Sequence, residues 1–294
     1  MLGMDPSPPF RLLQAVRRAH PLPAWSIDPD GLPLHVSSVF RSVLDIAGPG
    51  GLLAIADDTV GGLPDGVSVN AGDLRRLGVR PGMRVIVSPT VWTIPDARVQ
   101  VELGAARPWS PFLATVRSRG WPERRQSVAS RLETTMAGGS LLSGLVDHIA
   151  DATTADLGEA IHRRDRAAAA AAARRLIGLG AGLTPAGDDI ITGAEAALHA
   201  VGHPLAGFTG AALADVEVRT TEVAAAMLRH AARGAFAERI HRLIRATLVD
   251  DPDPAGDPLR GAADWGATSG MDTLAGIVLA LDAATGRGVY RRAA

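Results

Sequence analysis

The chain of 294 residues contains neither cysteine nor lysine. Without cysteine it can form no disulfide bond, no thiolate metal site and no cysteine nucleophile. Without lysine it can perform no Schiff-base chemistry and cannot contain a phosphate-binding loop that depends on a lysine. All 30 basic residues are therefore arginine, and an anion would have to be bound by arginine, backbone N–H groups, hydroxyls or a metal ion.

The sequence also lacks a strong net charge and a long apolar run. Its 31 acidic residues balance the 30 basic ones, so no basic field indicates nucleic-acid binding. No segment offers the roughly 20 uninterrupted apolar residues that a membrane span needs. Residues 1–10 do not show the basic start and apolar run of a secretory signal. We expect a cytoplasmic protein that binds a small anionic molecule, with no nucleic acid and no membrane as partner.

The first part of the chain has the pattern of short β-strands. Alternating or apolar runs broken by glycine and proline lie at 34–40, 52–56, 67–70, 84–88 and 98–103. Between them, the segment 70–78 predicts a short helical turn. We expect residues 1–112 to form a β-rich domain, either a small barrel or an open sandwich.

The second part of the chain is rich in alanine and leucine, in longer segments that predict helices. The predicted helices span 111–118, 123–136, 141–150, 156–177, 188–201, 213–233, 237–248 and 271–284. The proline-rich segment 251–258 predicts a loop. The predicted fold class is therefore α+β, with the β-rich domain followed by a mainly helical domain at 113–294.

Residues 178–189, Gly-Leu-Gly-Ala-Gly-Leu-Thr-Pro-Ala-Gly-Asp-Asp, form a glycine-rich turn in front of an apolar helical segment. The glycines allow positive φ angles and let the backbone approach a ligand closely. Acids also suit a helix start for structural reasons, because its free N–H groups and dipole favour negative charge. The functional alternative is that these N–H groups bind an anion, while Asp188 or Asp189 binds a cation or orients a substrate amide.

A second turn, residues 266–273, has the sequence Gly-Ala-Thr-Ser-Gly-Met-Asp-Thr and also opens into an apolar helix. Serine or threonine before a helix is commonly a simple N-cap. Two such turns in one helical domain can instead converge on one pocket, and we predict that those around Gly180 and Ser269 do so. A separation beyond about 15 Å would be too large for one small ligand.

Other catalytic motifs are missing from the sequence. None of the eight histidines lies in an H-E-x-x-H motif, and Ser143 does not stand in a G-x-S-x-G motif. Nucleophilic hydrolase chemistry therefore has little support.

The string at 178–189 resembles the signature of a family of oxamate carbamoyltransferase subunits from allantoin-degradation gene clusters. The resemblance extends to residues 38–40, 73–82, 105–111 and 269–276. Three positions depart from the family pattern, since Ala181, Ala186 and Ala267 stand where proline, serine and histidine are usual.

The resemblance implies an enzyme or enzyme subunit that converts oxalurate and phosphate into oxamate and carbamoyl phosphate, together with partner subunits and without an organic cofactor. Such chemistry needs an anion cradle, donors for a carboxylate and polarisation of a carbonyl. The implied catalytic residues are Thr184, Asp188 and Asp189, and the two acids would bind Mg²⁺ or the amide N–H groups. The implied substrate-binding residues are Gly180, Gly182, Gly187, Thr268, Ser269, Gly270 and Ser38.

Two alternatives remain open at this point. One is a binding or scaffolding subunit without catalytic activity of its own. The other is a metal-dependent hydrolase or lyase centred on Asp188 and Asp189.

Overall fold

The computed structural model describes residues 9–23, 34–116, 145–249, 257–262, 264–266 and 268–285. The chain divides into two compact units, Met1–Pro111 and Phe112–Ala294, and each is described by itself. Among the helices in the described ranges, none is both long and apolar enough to cross a membrane.

The first unit is a closed β-barrel of eight strands. The strands are β1 (Arg11–Ala19), β2 (Leu34–Val39), β3 (Val43–Gly48), β4 (Gly51–Asp57), β5 (Gly66–Val69), β6 (Arg84–Val87), β7 (Val91–Ile94) and β8 (Val99–Glu102), and a short β9 (Arg107–Trp109) follows them. Neighbouring strands follow the order β5-β4-β3-β2-β6-β7-β8-β1. Because β1 also pairs with β5, the sheet closes on itself, and β9 is added beside β1. The structure therefore selects the barrel from the two predicted β architectures.

The barrel interior is filled by side chains that alternate along the strands. In β7, Trp92 and Ile94 are buried whereas Thr93 is only partly buried, as the two-residue period of a strand requires. They join an apolar core that includes Leu44 and Ile46 of β3. The predicted helical turn at 70–78 is present as a 3₁₀ helix at Leu74–Leu77.

Four strands were not predicted from the sequence, for identifiable reasons. Strand β1 carries three arginines and no clear alternation, and β3 contains the buried acid Asp45. Strand β7 has only four residues, and β9 has three, of which one is Pro108. Each segment is short or contains residues that are rare in strands.

The second unit is helical. Its helices are α1 (Leu145–His162), α2 (Arg166–Leu176), α3 (Ala186–Ala200), α4 (Val216–Arg219), α5 (Glu222–Ala232), α6 (Glu238–Leu248), α7 (Pro258–Ala262) and α8 (Ser269–Ala284), with a 3₁₀ helix at Phe208–Ala212. The predicted helices at 188–201, 237–248 and 271–284 are confirmed within about two residues at each end.

Four predicted helices differ from the structure. The helix predicted at 141–150 continues to His162 as part of α1, which therefore also includes the start of the helix predicted at 156–177. The helix predicted at 156–177 is broken at Arg164, which has a φ of +56°, and Asp165 caps the new start of α2. The helix predicted at 213–233 is broken before Thr221, which caps α5. Residues 111–116 are not helical, and Phe112 instead forms an isolated β-bridge with Ala235. The predictions at 117–144 and 251–256 lie outside the described residues.

Helices α3 and α8 form the centre of this unit and are buried along almost their whole length. They cross closely because glycines face the neighbouring backbone. A Cβ atom on Gly193 would lie 2.0 Å from the carbonyl oxygen of Thr273, and one on Gly276 would lie 2.0 Å from that of Ile190. Any larger residue at either position would force the two backbones apart. Both glycines lie near the middle of their helices.

Candidate functional site

The glycine-rich turn connects α2 to α3, and its glycines have the predicted backbone conformations. Gly178, Gly180 and Gly182 have φ angles of +79°, +113° and +102°. A Cβ atom on Gly178 would lie 2.0 Å from the carbonyl oxygen of Arg219, so this glycine is required for packing. A Cβ atom on Gly182 would meet no heavy atom within 4 Å. Gly182 therefore faces solvent.

Several backbone N–H groups of the turn have no acceptor within the described ranges. They belong to Gly180, Ala181, Gly182, Leu183, Thr184 and Ala186. By contrast, the N–H of Gly187 donates to the carbonyl of Leu179, and a Cβ atom on Gly187 would lie 2.1 Å from the carbonyl oxygen of Leu176. Gly187 is thus a packing residue, whereas the preceding N–H groups are free donors in the turn before α3 and at its first residue.

Asp188 is fully buried and connects three segments of the chain. Its Oδ1 accepts a hydrogen bond from the N–H of Gly178 at 3.0 Å, and its Oδ2 accepts one from the hydroxyl of Thr220 at 2.5 Å. Burial raises its pKa, and the two hydrogen bonds act in the opposite direction. Because both oxygens already have donors, Asp188 has the geometry of a structural acid that holds the turn against the residues after α4.

Asp189 is equally buried, with 1% of its surface exposed, but its two oxygens accept no hydrogen bond of normal geometry within the described part of the chain. Burial raises its pKa to about 7. The hydroxyls of Ser269 and Thr184 and the charge of Arg239 act to lower that pKa, while the charge of Asp272 raises it. The hydroxyls of Ser269 and Thr184 therefore lie near Asp189 without forming a hydrogen bond of normal geometry with it, so its buried carboxylate can accept a further donor.

The two predicted turns meet. The hydroxyl oxygens of Thr184 and Ser269 lie 2.6 Å apart, so the predicted convergence is confirmed. One of these hydroxyls donates to the other, which leaves one hydroxyl proton for Asp189 or for a ligand. Gly270 follows directly, and a Cβ atom there would lie 2.1 Å from the carbonyl oxygen of Ala262, so it serves close packing of α8. Thr268, just before α8, lowers the pKa of Asp272 by hydrogen bonding.

Three residues near this site were not predicted from the sequence, namely Asp272, Arg239 and Trp265. Asp272 is 5% exposed and has an unpartnered Oδ2, and burial raises its pKa. Arg239 lies in the first turn of α6, where a cation is unfavourable, with its guanidinium carbon 3.6 Å from the centre of the Trp265 ring. A signal for Asp272 was its place in the second turn. For Arg239 the signal was an arginine at a predicted helix start.

Glu195 shows that a raised pKa alone does not identify the site. It lies in α3 and is fully buried, and burial raises its pKa to about 7 as well. Its carboxylate, however, accepts hydrogen bonds from the N–H groups of Gly207 and Thr209, both at 2.8 Å. It therefore caps the 3₁₀ helix at Phe208–Ala212. Among these acids, Asp189 is distinguished by its missing donors.

Ser38 belongs to the barrel, next to the register shift between β2 and β3. Its hydroxyl donates to a carboxylate oxygen of Asp45 at 2.5 Å. Its assignment to substrate binding stays a prediction.

In the metal site predicted on Asp188 and Asp189, each oxygen of Asp188 already accepts one hydrogen bond. Within the described ranges, no group of three or more histidine, aspartate or glutamate side chains is placed to hold a metal ion. Binding of Mg²⁺ by these two acids stays a prediction. Ala267, one of the departures from the family pattern, lies outside the described residues.

The fold and the site define a protein with a β-barrel, a helical unit and a buried polar centre where two glycine-containing turns meet. Two family models match the chain. The model of the AllH family N-terminal domain matches residues 15–108, and the model described as oxamate carbamoyltransferase subunit AllH matches residues 176–281. The chain belongs to the AllH family. The second match includes Thr184, Asp189, Arg239, Ser269 and Asp272. No solved structure matches the chain.

Proposed function

We propose that this chain is the subunit of an oxamate carbamoyltransferase complex that binds the amide acid and takes part in carbamoyl transfer. The observation that carries the proposal is the buried carboxylate of Asp189, which accepts no hydrogen bond of normal geometry from the described residues and lies beside the Thr184–Ser269 hydroxyl pair. The family model supports the reaction class, because its description names an oxamate carbamoyltransferase subunit.

The amide group of oxamate is a suitable partner for Asp189. A buried acceptor without a donor costs about 1–3 kcal/mol, and more when it is charged. An amide NH₂ group offers two N–H donors and would remove this cost on binding. The free hydroxyl proton of the Thr184–Ser269 pair would then donate to a carbonyl oxygen of the same ligand.

The free N–H groups of the turn at 178–187 would bind the second reactant. The N–H of Ala186 opens α3, where the helix dipole favours an anion such as phosphate or carbamoyl phosphate, and the others lie in the turn just before it. Since the chain has no lysine, backbone donors of this kind replace the side chain that many phosphate sites use.

The proposed reaction needs one proton transfer, which we assign to Asp189. A phosphate oxygen attacks the carbamoyl carbon of oxalurate, and the bond from that carbon to the oxamate nitrogen breaks. The leaving nitrogen takes a proton, and the products are carbamoyl phosphate and oxamate. With a pKa of about 7, Asp189 can donate this proton in one direction and accept it in the other.

The test is an assay of the chain purified together with its associated subunits, in which carbamoyl phosphate formed from oxalurate and phosphate is measured. We expect Asp189→Asn to lower kcat by about 10²–10⁴-fold, the usual range for loss of a general acid or base. The exposed acid Asp156 provides a matched control, and Asp156→Asn should retain full activity. Full activity of the Asp189→Asn complex would contradict the proposal.

A subunit that binds without catalysing is the second candidate, favoured by Ala186 at a position where the family signature usually has a hydroxyl. This non-catalytic role would be supported if the unmodified chain bound oxamate while the Asp189→Asn complex turned over bound substrate at the unmodified rate.

A further inference from the structure

Arg239 is held in a fixed orientation by Trp265. Its guanidinium carbon lies 3.6 Å from the centre of the indole ring, within the distance of a strong cation–π contact. A guanidinium that stacks by its face keeps its N–H edge available for a planar partner. Because a cation in the first turn of a helix opposes the helix dipole, the position of Arg239 calls for a compensating interaction.

Apart from the Trp265 ring, no protein group in the described ranges compensates this charge by an ion pair or a hydrogen bond. Arg239 forms no ion pair there, and its buried Nε has no hydrogen-bond acceptor. Burial lowers its pKa to about 9, and the charge of Asp189 acts to raise it. The two groups are thus close enough to influence each other, yet they do not form a salt bridge. Opposite charges that stay apart in a buried setting leave donors and acceptors unused on both sides.

We infer that Arg239, oriented by Trp265, binds the carboxylate of the amide acid whose amide group faces Asp189. This inference rests on the proposed function and names a residue that determines substrate specificity. An α-amide acid has its anion and its N–H donors on adjacent carbons, so it requires a cation and an acceptor that are near each other without touching. The guanidinium edge matches a carboxylate through two parallel hydrogen bonds.

Two ligands of nearly equal size, oxamate and oxamide, can distinguish carboxylate binding by Arg239 from a purely electrostatic role. Oxamate carries a carboxylate, whereas oxamide carries a second, neutral amide in its place. If Arg239 binds the carboxylate, its removal affects oxamate and not oxamide. If Arg239 serves only as a counter-ion that keeps Asp189 ionised, its removal affects both ligands alike.

The experiment is a ligand-observed NMR titration of the purified protein, with its associated subunits, against oxamate and oxamide. Unmodified protein should bind oxamate more tightly than oxamide. In Arg239→Gln, we expect oxamate affinity to fall about 10- to 100-fold, the usual loss for a hydrogen-bonded ionic contact, while oxamide affinity changes less than about threefold. Arg239→Lys should not restore the affinity, because an ammonium lacks the planar edge.

Two further variants separate this role from an effect on folding. Arg245 is exposed on the same helix, and Arg245→Gln should bind both ligands as the unmodified protein does. Trp265→Leu removes the stacking surface and leaves the charge in place, so it should weaken oxamate selectively even if Arg239→Gln proves unstable.

The outcomes also separate the inference from the function on which it rests. Unchanged oxamate affinity in Arg239→Gln and Trp265→Leu, or an equal loss for both ligands, would overturn the inference and leave the function standing. Absence of oxamate binding by the unmodified protein would overturn both.

Discussion

The hydroxyl oxygens of Thr184 and Ser269 lie 2.6 Å apart, although 85 positions separate the two residues in the chain. Thr184 stands two residues before α3, and Ser269 is the first residue of α8. Each helix also carries a buried acid in its first turn, Asp189 in α3 and Asp272 in α8. One contact therefore joins two helix starts and brings two buried carboxyl groups into each other's electrostatic field.

The first prediction concerns that contact. A double-mutant cycle of Thr184→Val and Ser269→Ala should give a coupling free energy of about 0.5–1.5 kcal/mol, the usual net value of a neutral hydrogen bond. Urea unfolding of the four proteins measures it. Strictly additive effects of the two substitutions would show that the hydroxyls do not interact.

The second prediction is that Asp188 acts in folding. Asp188→Ala removes the acceptor of both Gly178 and Thr220 and should lower the free energy of unfolding by about 2–3 kcal/mol. Thr220→Val removes one of the two hydrogen bonds and should cost about 1 kcal/mol. Asp156 is a matched control, because its ion pair with Arg175 is exposed and Asp156→Ala should change stability by less than about 0.5 kcal/mol. Equal effects of Asp188→Ala and Asp156→Ala would refute this role.

The third prediction is that the carboxylate of Asp189, unlike that of Asp188, destabilises the folded protein, and that this cost grows as the pH rises. Burial raises the pKa of Asp189 to about 7 from the ordinary value of 3.8. Below about pH 4 the group is protonated in both the folded and the unfolded chain, and it contributes nothing. As pH rises toward 7, the unfolded chain loses the proton first, so folding becomes less favourable, and the full cost is present above pH 7.

Asp189→Asn removes this cost. The variant should match the unmodified protein in stability near pH 4 and exceed it by about 1–4 kcal/mol above pH 7. Urea unfolding at a series of pH values measures the difference. A difference that shrinks as pH rises would show that the carboxylate is stabilised in the folded state.

The fourth prediction concerns the crossing of α3 and α8. Gly193→Ala would place a Cβ atom 2.0 Å from the carbonyl oxygen of Thr273 and should destabilise the protein by about 2–3 kcal/mol. Gly261 is the control, because it is also helical but its Cβ atom would meet nothing within 4 Å. Gly261→Ala should therefore raise stability by about 0.5–1 kcal/mol. The same sign of effect for both variants in thermal unfolding would contradict the close crossing.

The predictable parts of the molecule were those encoded by neighbouring residues. The positive φ angles at Gly178, Gly180 and Gly182 follow from a glycine-rich string, and a hydroxyl and an acid at the start of α3 and α8 follow from the rules of helix starts. Convergence of the two turns was inferred from their likeness, and the contact between Thr184 and Ser269 confirms it.

The parts that were missed depend on packing between distant residues. Nothing near Arg239 in the sequence indicates that it stacks on Trp265, because that contact joins the start of α6 to the segment after α7. From the sequence alone, the adjacent acids Asp188 and Asp189 are equally good candidates for a functional role. Only the folded chain separates them, since the N–H of Gly178 and the hydroxyl of Thr220 both point to Asp188.

The most direct test of the central claim is calorimetric titration of oxamate into the unmodified protein and into Asp189→Asn. We predict that the unmodified protein binds oxamate and that the variant binds it at least about tenfold more weakly, while it unfolds at the same or a higher temperature. Equal affinity for oxamate in the two proteins would contradict the assignment of Asp189 as the acceptor of the substrate amide.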